Sequence, residues 1–196
     1  MPLTALDPRT ALVLIDLQHG THVLVDQQSL AGPLARASEL AAAFRASGLP
    51  VLLVRMNFAP DWADAPRNRT SVSRPAGQPP ANWAEPLPEL DRQPTDVLVT
   101  KHQTGAFYGT DLDLQLGRRQ ITGIVLGGVA TSLGVESTGR AAADHGYNVT
   151  FAADAMTDPD PRAHDHSLGV TFPRFGEVDT TAAVIAALAP ARISAA

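Results

Sequence analysis

Residues 121–146 read ITGIVLGGVATSLGVESTGRAAADHG, and this stretch decides the fold. The apolar run at 121–127 predicts a buried strand, and a helix is predicted from about residue 133 to 145. The small residues between them predict a sharp turn. A turn of this kind directs backbone N–H groups beyond the strand, where they can hold a negatively charged oxygen. Enzymes that use it for covalent chemistry carry a nucleophile at its tip, and here the tip is Gly134.

The same alternation of strand and helix runs through the rest of the chain. Apolar runs and helical spacing predict strands at 10–15, 51–56, 96–101, 147–155 and 175–178, and helices at 29–47, 110–118, 161–172 and 178–188. Alternating strands and helices form βαβ units. The sequence therefore predicts an α/β fold with a mostly parallel sheet, covered by helices on both faces. No repeat or linker divides the chain, so we expect a single domain over 1–196.

Residues 57–95 differ from the rest of the chain. They are rich in proline, show no sustained periodicity and contain both tryptophans, Trp62 and Trp83. A loop of this length inside a compact domain is usually functional, and the two indole rings indicate that part of it packs. We therefore expect an insertion that forms a lid over a site or a contact between subunits. The alternative is a loosely held surface insertion.

Composition excludes several classes of function. The 196-residue chain has a formal net charge of −5 and no cysteine. The negative charge argues against nucleic acid or an anionic membrane as a partner, and no apolar run reaches the roughly 20 residues of a membrane span. The lack of cysteine excludes disulfides, thiolate metal ligands and thiol nucleophiles. Since no secretory signal is recognisable either, we expect a cytoplasmic protein.

Three residues are predicted to meet at one edge of the sheet. Asp16 follows the first strand, Lys101 (the only lysine of the chain) ends the third, and Gly134 follows the fourth. The carboxyl ends of parallel strands face the crevice in which open α/β sheets bind ligands. A nearby lysine would favour the charged form of Asp16 while burial would oppose it, so the aspartate could accept or donate a proton. The alternatives are a turn-capping aspartate and a solvated lysine.

Three ordered motifs resemble the isochorismatase-like hydrolase superfamily. They are VLIDLQ at 13–18, TKHQTGAFYGTDLDLQL at 100–116 and GGVATSLGVESTGRAAADHGYNVTFAADAM at 127–156. The resemblance implies a Rossmann-like three-layer α/β/α sandwich with a six-stranded sheet, and it implies a homo-oligomer. Most members of the superfamily use an Asp, a Lys and a Cys. The first two of these correspond to Asp16 and Lys101.

The family's cysteine position is occupied by Gly134. The family pattern G-V-A-T-x-x-C-V corresponds to residues 128–135, which read GVATSLGV. The resemblance also implies a non-proline cis peptide at Val129–Ala130 and an oxyanion site formed by the backbone N–H groups of Ala130 and Gly134. Without the cysteine, the covalent amidase mechanism of the family is not expected, and chemistry that needs no thiol remains.

Isochorismatases are similar to this chain in carrying glycine at the nucleophile position. They hydrolyse a vinyl ether: a carboxylic acid protonates the enol carbon, and water adds to the resulting oxocarbenium ion. By resemblance, Asp16 is that acid and Lys101 is its electrostatic partner. The two carboxylates of the isochorismatase substrate need cationic contacts, and the candidates in the 57–95 insertion are Arg67, Arg69 and Arg74.

Two further residues are predicted to contact the substrate. Gln18 lies two residues after Asp16, and Phe107 lies in the glycine-containing loop after the third strand. Phe107 could line the pocket or simply pack, and the sequence does not separate these alternatives. The turn also carries hydroxyl groups on Thr131 and Ser132. Hydroxyls at the start of a helix are normally caps, and no histidine is expected beside them.

No metal or other cofactor is predicted. His19 and His22 follow the first strand, yet the Asp-x-His pair by which nicotinamidase-like members bind metal is absent at Asp61, where Trp and Ala follow. His164 and His166 lie on a weakly predicted helix and are expected at the surface.

Two hypotheses for the function follow. The first is a hydrolase without a cysteine nucleophile, in which Asp16 transfers a proton on a small carboxylate or vinyl-ether substrate and Lys101 tunes its pKa. The second is a non-catalytic relative that binds a small molecule or takes part in an assembly. Both expect a small-molecule ligand, with a carboxylate group favoured, and neither expects nucleic acid or membrane.

Overall fold

The computed structural model describes residues 1–71 and 77–188 of the chain. Within these residues the strands are β1 (Thr10–Ile15), β2 (Val51–Met56), β3 (Val97–Lys101), β4 (Gly123–Val129), β5 (Asn148–Thr157) and β6 (Glu177–Asp179). They form one sheet in the order β3-β2-β1-β4-β5-β6, and every neighbouring pair is parallel. The predicted six-stranded sheet is therefore confirmed, and its described pairs are all parallel.

The helices in the described residues are α1 (Gln27–Ala46), α2 (Leu112–Arg118), α3 (Glu136–Asp144), α4 (Pro161–His166) and α5 (Thr181–Leu188). A turn of π-helix precedes α3 at Thr131–Val135, and another follows α4 at Ser167–Thr171. Shorter 3-10 turns lie at His19–Val23, Pro88–Leu90 and Phe172–Arg174. The single helix predicted at 161–172 is thus divided into short pieces.

The sheet is covered on both faces, which confirms the three-layer sandwich. Alternate side chains of β1 point to opposite faces, and all of them are buried. Leu12 and Leu14 belong to a core shared with α1 and α5, in which the helices contribute Leu30, Leu34, Phe44, Val184 and Leu188. Val13 and Ile15 belong to a second core, to which α2 contributes Leu112 and Leu116.

The strand that leads into the decisive turn is displaced by two residues from its predicted position. β4 begins at 123 rather than 121, because Ile121 N still donates to Leu116 O at 3.1 Å and closes α2. At its other end Gly128 remains in the strand with a φ of 121°, a conformation that glycine adopts readily. A Cβ at this position would clash with the backbone of Ile15. β4 therefore extends closer to the site than the sequence predicted.

Gln18 ties the 57–95 insertion to the end of β2. Its side-chain Nε2 donates to the carbonyl oxygens of Met56 and Trp83, both at 2.8 Å, and its Oε1 accepts from Met56 N at 2.6 Å. Gln18 is only 2% exposed. Since buried amide groups need such partners, these hydrogen bonds explain why a polar residue is tolerated at this depth.

Residues 83–90 are the packed part of the insertion. Backbone hydrogen bonds of 2.9 to 3.0 Å join them to residues 17–20, with an antiparallel bridge between the two segments. Leu87 and Leu90, 3% and 1% exposed, enter the core beside α1. The prediction that part of the insertion packs is confirmed for this segment.

A glycine is required where this segment crosses the chain after β1. A Cβ on Gly20 would lie 2.7 Å from two carbon atoms of the Trp83 ring, and the two residues are joined by a backbone hydrogen bond of 2.9 Å. Because this hydrogen bond keeps the Gly20 backbone and Trp83 close together, an added methyl group would clash. We therefore expect Gly20→Ala to lower the free energy of unfolding by about 1–3 kcal/mol, as measured by urea denaturation.

The matched control for this prediction is Gly32→Ala in α1. A Cβ on Gly32 meets no atom within 4 Å, so the exchange should stabilise the helix by about 0.5–1 kcal/mol. A Gly20→Ala variant as stable as the Gly32→Ala variant would contradict the close contact between Gly20 and Trp83.

Candidate active site

The carboxyl ends of β1, β3 and β4 bring the predicted site residues to one edge of the sheet. Ile15, the last residue of β1, pairs with Gly128 of β4. Lys101, the last residue of β3, pairs with Met56 of β2. Since β2 lies between β1 and β3, the Lys101 side chain crosses the end of β2 to reach Asp16. A long, flexible side chain is needed for this reach.

Lys101 is completely buried and fully hydrogen-bonded. Its side chain is 0% exposed, and Nζ lies 2.7 Å from Asp16 Oδ2. Nζ also donates to Thr104 O at 2.8 Å and to Gln103 O at 3.2 Å. An ammonium group has three N–H donors, and each of them has an acceptor here. The alternative of a solvated surface lysine is therefore wrong.

Asp16 has one paired and one unpaired carboxylate oxygen. Oδ2 is held by Lys101, whereas Oδ1 is buried and has no hydrogen-bond partner among the described residues. Burial raises the pKa of Asp16 above its ordinary value, and the charge and hydrogen bond of Lys101 offset only part of this rise. Because Oδ2 already accepts from Lys101, a proton carried by Asp16 lies on Oδ1.

The backbone of Asp16 is held as firmly as its side chain. Asp16 N donates to Val54 O at 2.8 Å, and the hydroxyl of Thr21 donates to Asp16 O. The residue has a φ of 51°, in the left-handed region that aspartate tolerates better than most side chains. Thr21 was not singled out from the sequence, because no motif marks a hydroxyl five residues away as a partner.

The turn after β4 is a single turn of π-helix. The peptide between Val129 and Ala130 is cis, as the resemblance implied. Ala130 O accepts from Leu133 N at 3.1 Å and from Val135 N at 3.2 Å. Ser132 donates from both N and Oγ to Asp158 Oδ2, each at 2.7 Å. A carboxylate of the chain itself thus occupies part of the turn that was predicted to hold a negatively charged oxygen.

Gly134 lies directly against the Asp16–Lys101 pair. A Cβ at this position would be 3.4 Å from Asp16 Oδ2, 3.2 Å from Val129 O and 2.9 Å from Ile15 Cγ2. The position that carries the nucleophile in related enzymes therefore borders the carboxyl group, and the glycine leaves the space between them free of a side chain.

The comparisons with known proteins agree with this geometry. A family model described as the isochorismatase domain matches residues 10–183. The chain belongs to the isochorismatase family. It is 42% identical to the uncharacterised isochorismatase family protein YecD of Escherichia coli O157:H7 over 180 residues, which are 91% of this chain and 96% of YecD.

Solved structures and more distant relatives support the same assignment. An isochorismatase family protein from Burkholderia thailandensis has a TM-score of 0.88 and 47% identity, covering 94% of this chain and 98% of its own. The ureidoacrylate amidohydrolase RutB of Methylobacterium radiotolerans is 29% identical over 94% of this chain and 81% of RutB. Because this relative is an amidohydrolase, the missing cysteine has to be considered in assigning the reaction.

Gln18 and Phe107 were predicted to contact the substrate, but both side chains contact other residues of the chain instead. The amide of Gln18 is occupied by the backbone of Met56 and Trp83. Phe107 is 8% exposed and stacks on His145, with ring centroids 4.9 Å apart. His145 follows α3, at the end remote from the turn. Of the two alternatives for Phe107, the structure favours packing.

The expectation that no histidine lies near the turn hydroxyls is wrong. His164 Nδ1 lies 2.8 Å from Thr131 Oγ1, and His164 is half-buried at the rim of a 230 Å³ cavity that Asp158 also lines. The contact joins residues 33 positions apart, and no local pattern predicts it. Thr131 itself is 0% exposed.

Of the three arginines that were expected to bind carboxylates, the two in the described residues do not line a cavity near the site. Arg67 and Arg69 are exposed, and neither lines the cavity at His164 or the cavity next to Gln103 and Thr104. Arg74 lies outside the described residues. The side chain of His22 is also outside them, and no three His, Asp or Glu side chains among those described are placed to hold a metal ion. None of the described helices combines the length and apolar character needed to cross a membrane.

The packing around Gly134 gives a further prediction. A methyl group there would press on Ile15 Cγ2 and Val129 O, so Gly134→Ala should lower the free energy of unfolding by about 1–3 kcal/mol. Gly117→Ala in α2 is the control, because a Cβ there meets no atom within 4 Å. If thermal denaturation in the presence of urea gave equal stabilities for both variants, the close contact at residue 134 would be disproved.

Proposed function

We propose that this isochorismatase-family protein hydrolyses small vinyl ethers, including carboxylate-bearing ones, without a cysteine. The observation that carries the proposal is the unpaired Oδ1 of Asp16, on a buried carboxyl whose pKa is raised and whose other oxygen is held by Lys101. A carboxyl group in such a state is suited to donate a proton. Gly134 lies next to this carboxyl group, since a Cβ at residue 134 would be 3.4 Å from Asp16 Oδ2.

The reaction begins with proton transfer from Asp16 to the terminal enol carbon. The electron pair of the C=C bond forms the new C–H bond, and the carbon bearing the ether oxygen becomes an oxocarbenium ion. Asp16 is then a carboxylate, whose charge the buried Lys101 ammonium stabilises. Water adds to the oxocarbenium carbon and returns a proton to Asp16. The resulting hemiketal releases an alcohol and leaves a carbonyl compound.

The turn after β4 has the second role in this proposal. The backbone N–H groups of Ala130 and Gly134 hold a carboxylate or carbonyl oxygen of the substrate, as donors of this type do at other strand-to-helix turns. Asp158 supports them indirectly, because its carboxylate fixes Ser132 at 2.7 Å and so sets the shape of the turn.

Amide hydrolysis is the second candidate, because an amidohydrolase is among the relatives. The residues argue against its covalent form. The chain has no cysteine, and Ser132 Oγ donates to Asp158 rather than to a general base. A non-catalytic binding role is the remaining alternative, and a turnover assay separates all three.

The assay compares 2-methoxyacrylate, α-methoxystyrene and a set of small primary amides. We expect hydrolysis of at least one vinyl ether and of no amide. In D₂O the new methyl group of the product should carry one deuterium, and in H₂¹⁸O the released methanol should carry no label, because water adds to the vinyl carbon. Turnover of amides alone would replace the proposal with amidase chemistry, and ligand binding without any turnover would favour the non-catalytic role.

A further inference from the structure

A cavity of 390 Å³ beside the Asp16–Lys101 pair is lined mainly by apolar and aromatic side chains. We call it the aromatic cavity, and its walls include Met56, Phe58, Trp62, Trp83, His102 and Thr104. The ring centroids of Phe58 and Trp62 are 5.3 Å apart, and those of Trp62 and Trp83 are 6.0 Å apart in an edge-to-face arrangement. Binding cavities for small molecules are typically about 300–1,000 Å³ and mostly apolar. The aromatic cavity falls within this range.

The aromatic cavity shares its wall with the groups that hold Lys101. Gln103 and Thr104 line it, and their carbonyl oxygens accept from Lys101 Nζ at 3.2 and 2.8 Å. Met56, which also lines the cavity, pairs with Lys101 in the sheet. The aromatic cavity therefore borders the loop whose carbonyl oxygens hold the Lys101 ammonium group.

The side chain of Trp83 lines this cavity. Its Nε1 is buried and has no acceptor among the described residues, whereas Nε1 of Trp62 donates to Gly77 O at 2.6 Å. Buried indole N–H groups normally have a partner. Because Trp83 lines the cavity, its unpaired N–H is the candidate donor for an acceptor atom of a ligand.

The described residues that line the aromatic cavity include no arginine or lysine. Lys101 already uses all three of its donors. His102 Nδ1 lies 2.7 Å from Asn57 O, so this nitrogen is already hydrogen-bonded to a backbone carbonyl. A ligand with two carboxylates would lose its hydration here without gaining a cation, whereas a flat neutral group would lose little.

We propose that the aromatic cavity binds a planar apolar group of the substrate and that Trp83 donates its indole N–H to a neutral oxygen of the same molecule. Within the vinyl-ether hydrolase function, on which this assignment of substrate class rests, aryl-substituted vinyl ethers are preferred over dicarboxylates. Trp83 then determines specificity, and Phe58 and Trp62 supply the flat walls that contact the ring.

The two indole N–H groups of the chain provide a direct test. In ¹⁵N-labelled protein they give separate signals, which Trp83→Phe assigns. Acetophenone, the product expected from α-methoxystyrene, should move the Trp83 signal downfield as its N–H gains an acceptor. Ethylbenzene, which has the ring but no acceptor, should bind without that downfield shift. Phthalate should bind at least about tenfold more weakly than acetophenone.

A substitution separates the hydrogen bond from the packing. Trp83→Phe should weaken acetophenone binding about 3- to 10-fold and leave ethylbenzene binding nearly unchanged. If this variant fails to fold, Phe58→Ala provides the second test and should weaken both neutral ligands. Phthalate binding as tightly as acetophenone, or acetophenone binding that leaves the Trp83 signal in place, would overturn the proposal.

The experiments distinguish a wrong assignment of the aromatic cavity from a wrong assignment of the hydrolase function. The indole shift requires binding but no turnover. A downfield Trp83 signal without hydrolysis of any vinyl ether would contradict the hydrolase function and leave the aromatic cavity as a binding site. Hydrolysis of 2-methoxyacrylate without any response of Trp83 to acetophenone would contradict the aromatic cavity and leave the hydrolase function in place.

Discussion

Replacing Asp16 with asparagine is expected to lower kcat/KM for vinyl-ether hydrolysis by about 10²- to 10⁴-fold, the usual contribution of a positioned general acid. Asparagine has the same shape and still offers Lys101 an oxygen acceptor, so the hydrogen bond at 2.7 Å has a substitute. It has no proton to give to the enol carbon. The comparison is made with purified wild-type and variant protein on the same substrate, at a pH where both are folded.

Asp160→Asn is the control for this experiment. Asp160 is the N-cap of α4 and accepts from Arg162 N at 2.9 Å, and asparagine is an equally good N-cap. Its activity should match the wild type. If Asp16→Asn retained most of the activity while Asp160→Asn behaved as expected, Asp16 would not be the acid.

The wild-type pH profile follows from the raised pKa of Asp16. Only the protonated carboxyl can donate, so kcat/KM should fall as the pH rises through the pKa of Asp16 in the folded protein. The contribution of this proton to the free energy of unfolding should also fall as the pH rises. The folded state binds this proton more tightly than the unfolded state, so the contribution is complete below the unfolded value of about 3.9 and is lost as the pH rises through the folded pKa. Asp16→Asn should remove both effects.

Replacing Lys101 with methionine is expected to destabilise the protein by about 3–5 kcal/mol at pH values where Asp16 is ionised, since it leaves a buried charge without a partner. Methionine is similar in length but cannot donate to Asp16, Gln103 or Thr104. Without the cation, the pKa of Asp16 should rise further. Urea denaturation at several pH values should therefore show the smallest loss of stability at low pH.

The double variant Asp16→Asn/Lys101→Met tests whether the two residues act as a pair. If the loss in Lys101→Met arises from an unpaired carboxylate, replacing that carboxylate with a neutral amide should recover part of it, and the two effects will not add. Strict additivity of the two single effects would show instead that the buried ion pair does not determine stability at this edge of the sheet.

The contact between Asp16 and Lys101 could be anticipated from the sequence because parallel topology leaves little freedom. Strands that run in the same direction end at the same edge, so charged residues at the ends of β1 and β3 are brought to one side whatever their surroundings. The same reasoning placed Gly134 at that edge. The sequence could not show that Lys101 is fully buried, because that depends on the carbonyl oxygens of Gln103 and Thr104, which belong to an irregular loop.

The side-chain directions of Gln18 and Phe107 could not be predicted in this way. Both lie close in sequence to site residues, yet Gln18 turns to the backbone of Met56 and Trp83, and Phe107 turns to His145. Side-chain direction in a loop is set by partners distant in the chain, and a single sequence carries no periodic signal for them. The contact of His164 with Thr131 was missed for the same reason.

The packing partners of the 57–95 insertion could not be predicted from the sequence either. Its tryptophans correctly indicated packing, because large apolar rings are rarely left in water. Which backbone they would pack on was not predictable, since the segment has no period from which to place a strand or helix. The aromatic cavity is consequently a feature that only the structure reveals.

The protonation of Asp16 in the folded protein is the most direct test of the proposed chemistry. Carbon NMR of protein labelled at the aspartate carboxyl carbons follows each group through a pH titration, and the signal missing from Asp16→Asn identifies Asp16. We predict a titration midpoint above the ordinary aspartate value of about 3.9, because burial outweighs the effect of Lys101. A midpoint at or below that value would mean that Asp16 is an ionised partner of Lys101 with no proton to donate, and it would contradict acid catalysis by this residue.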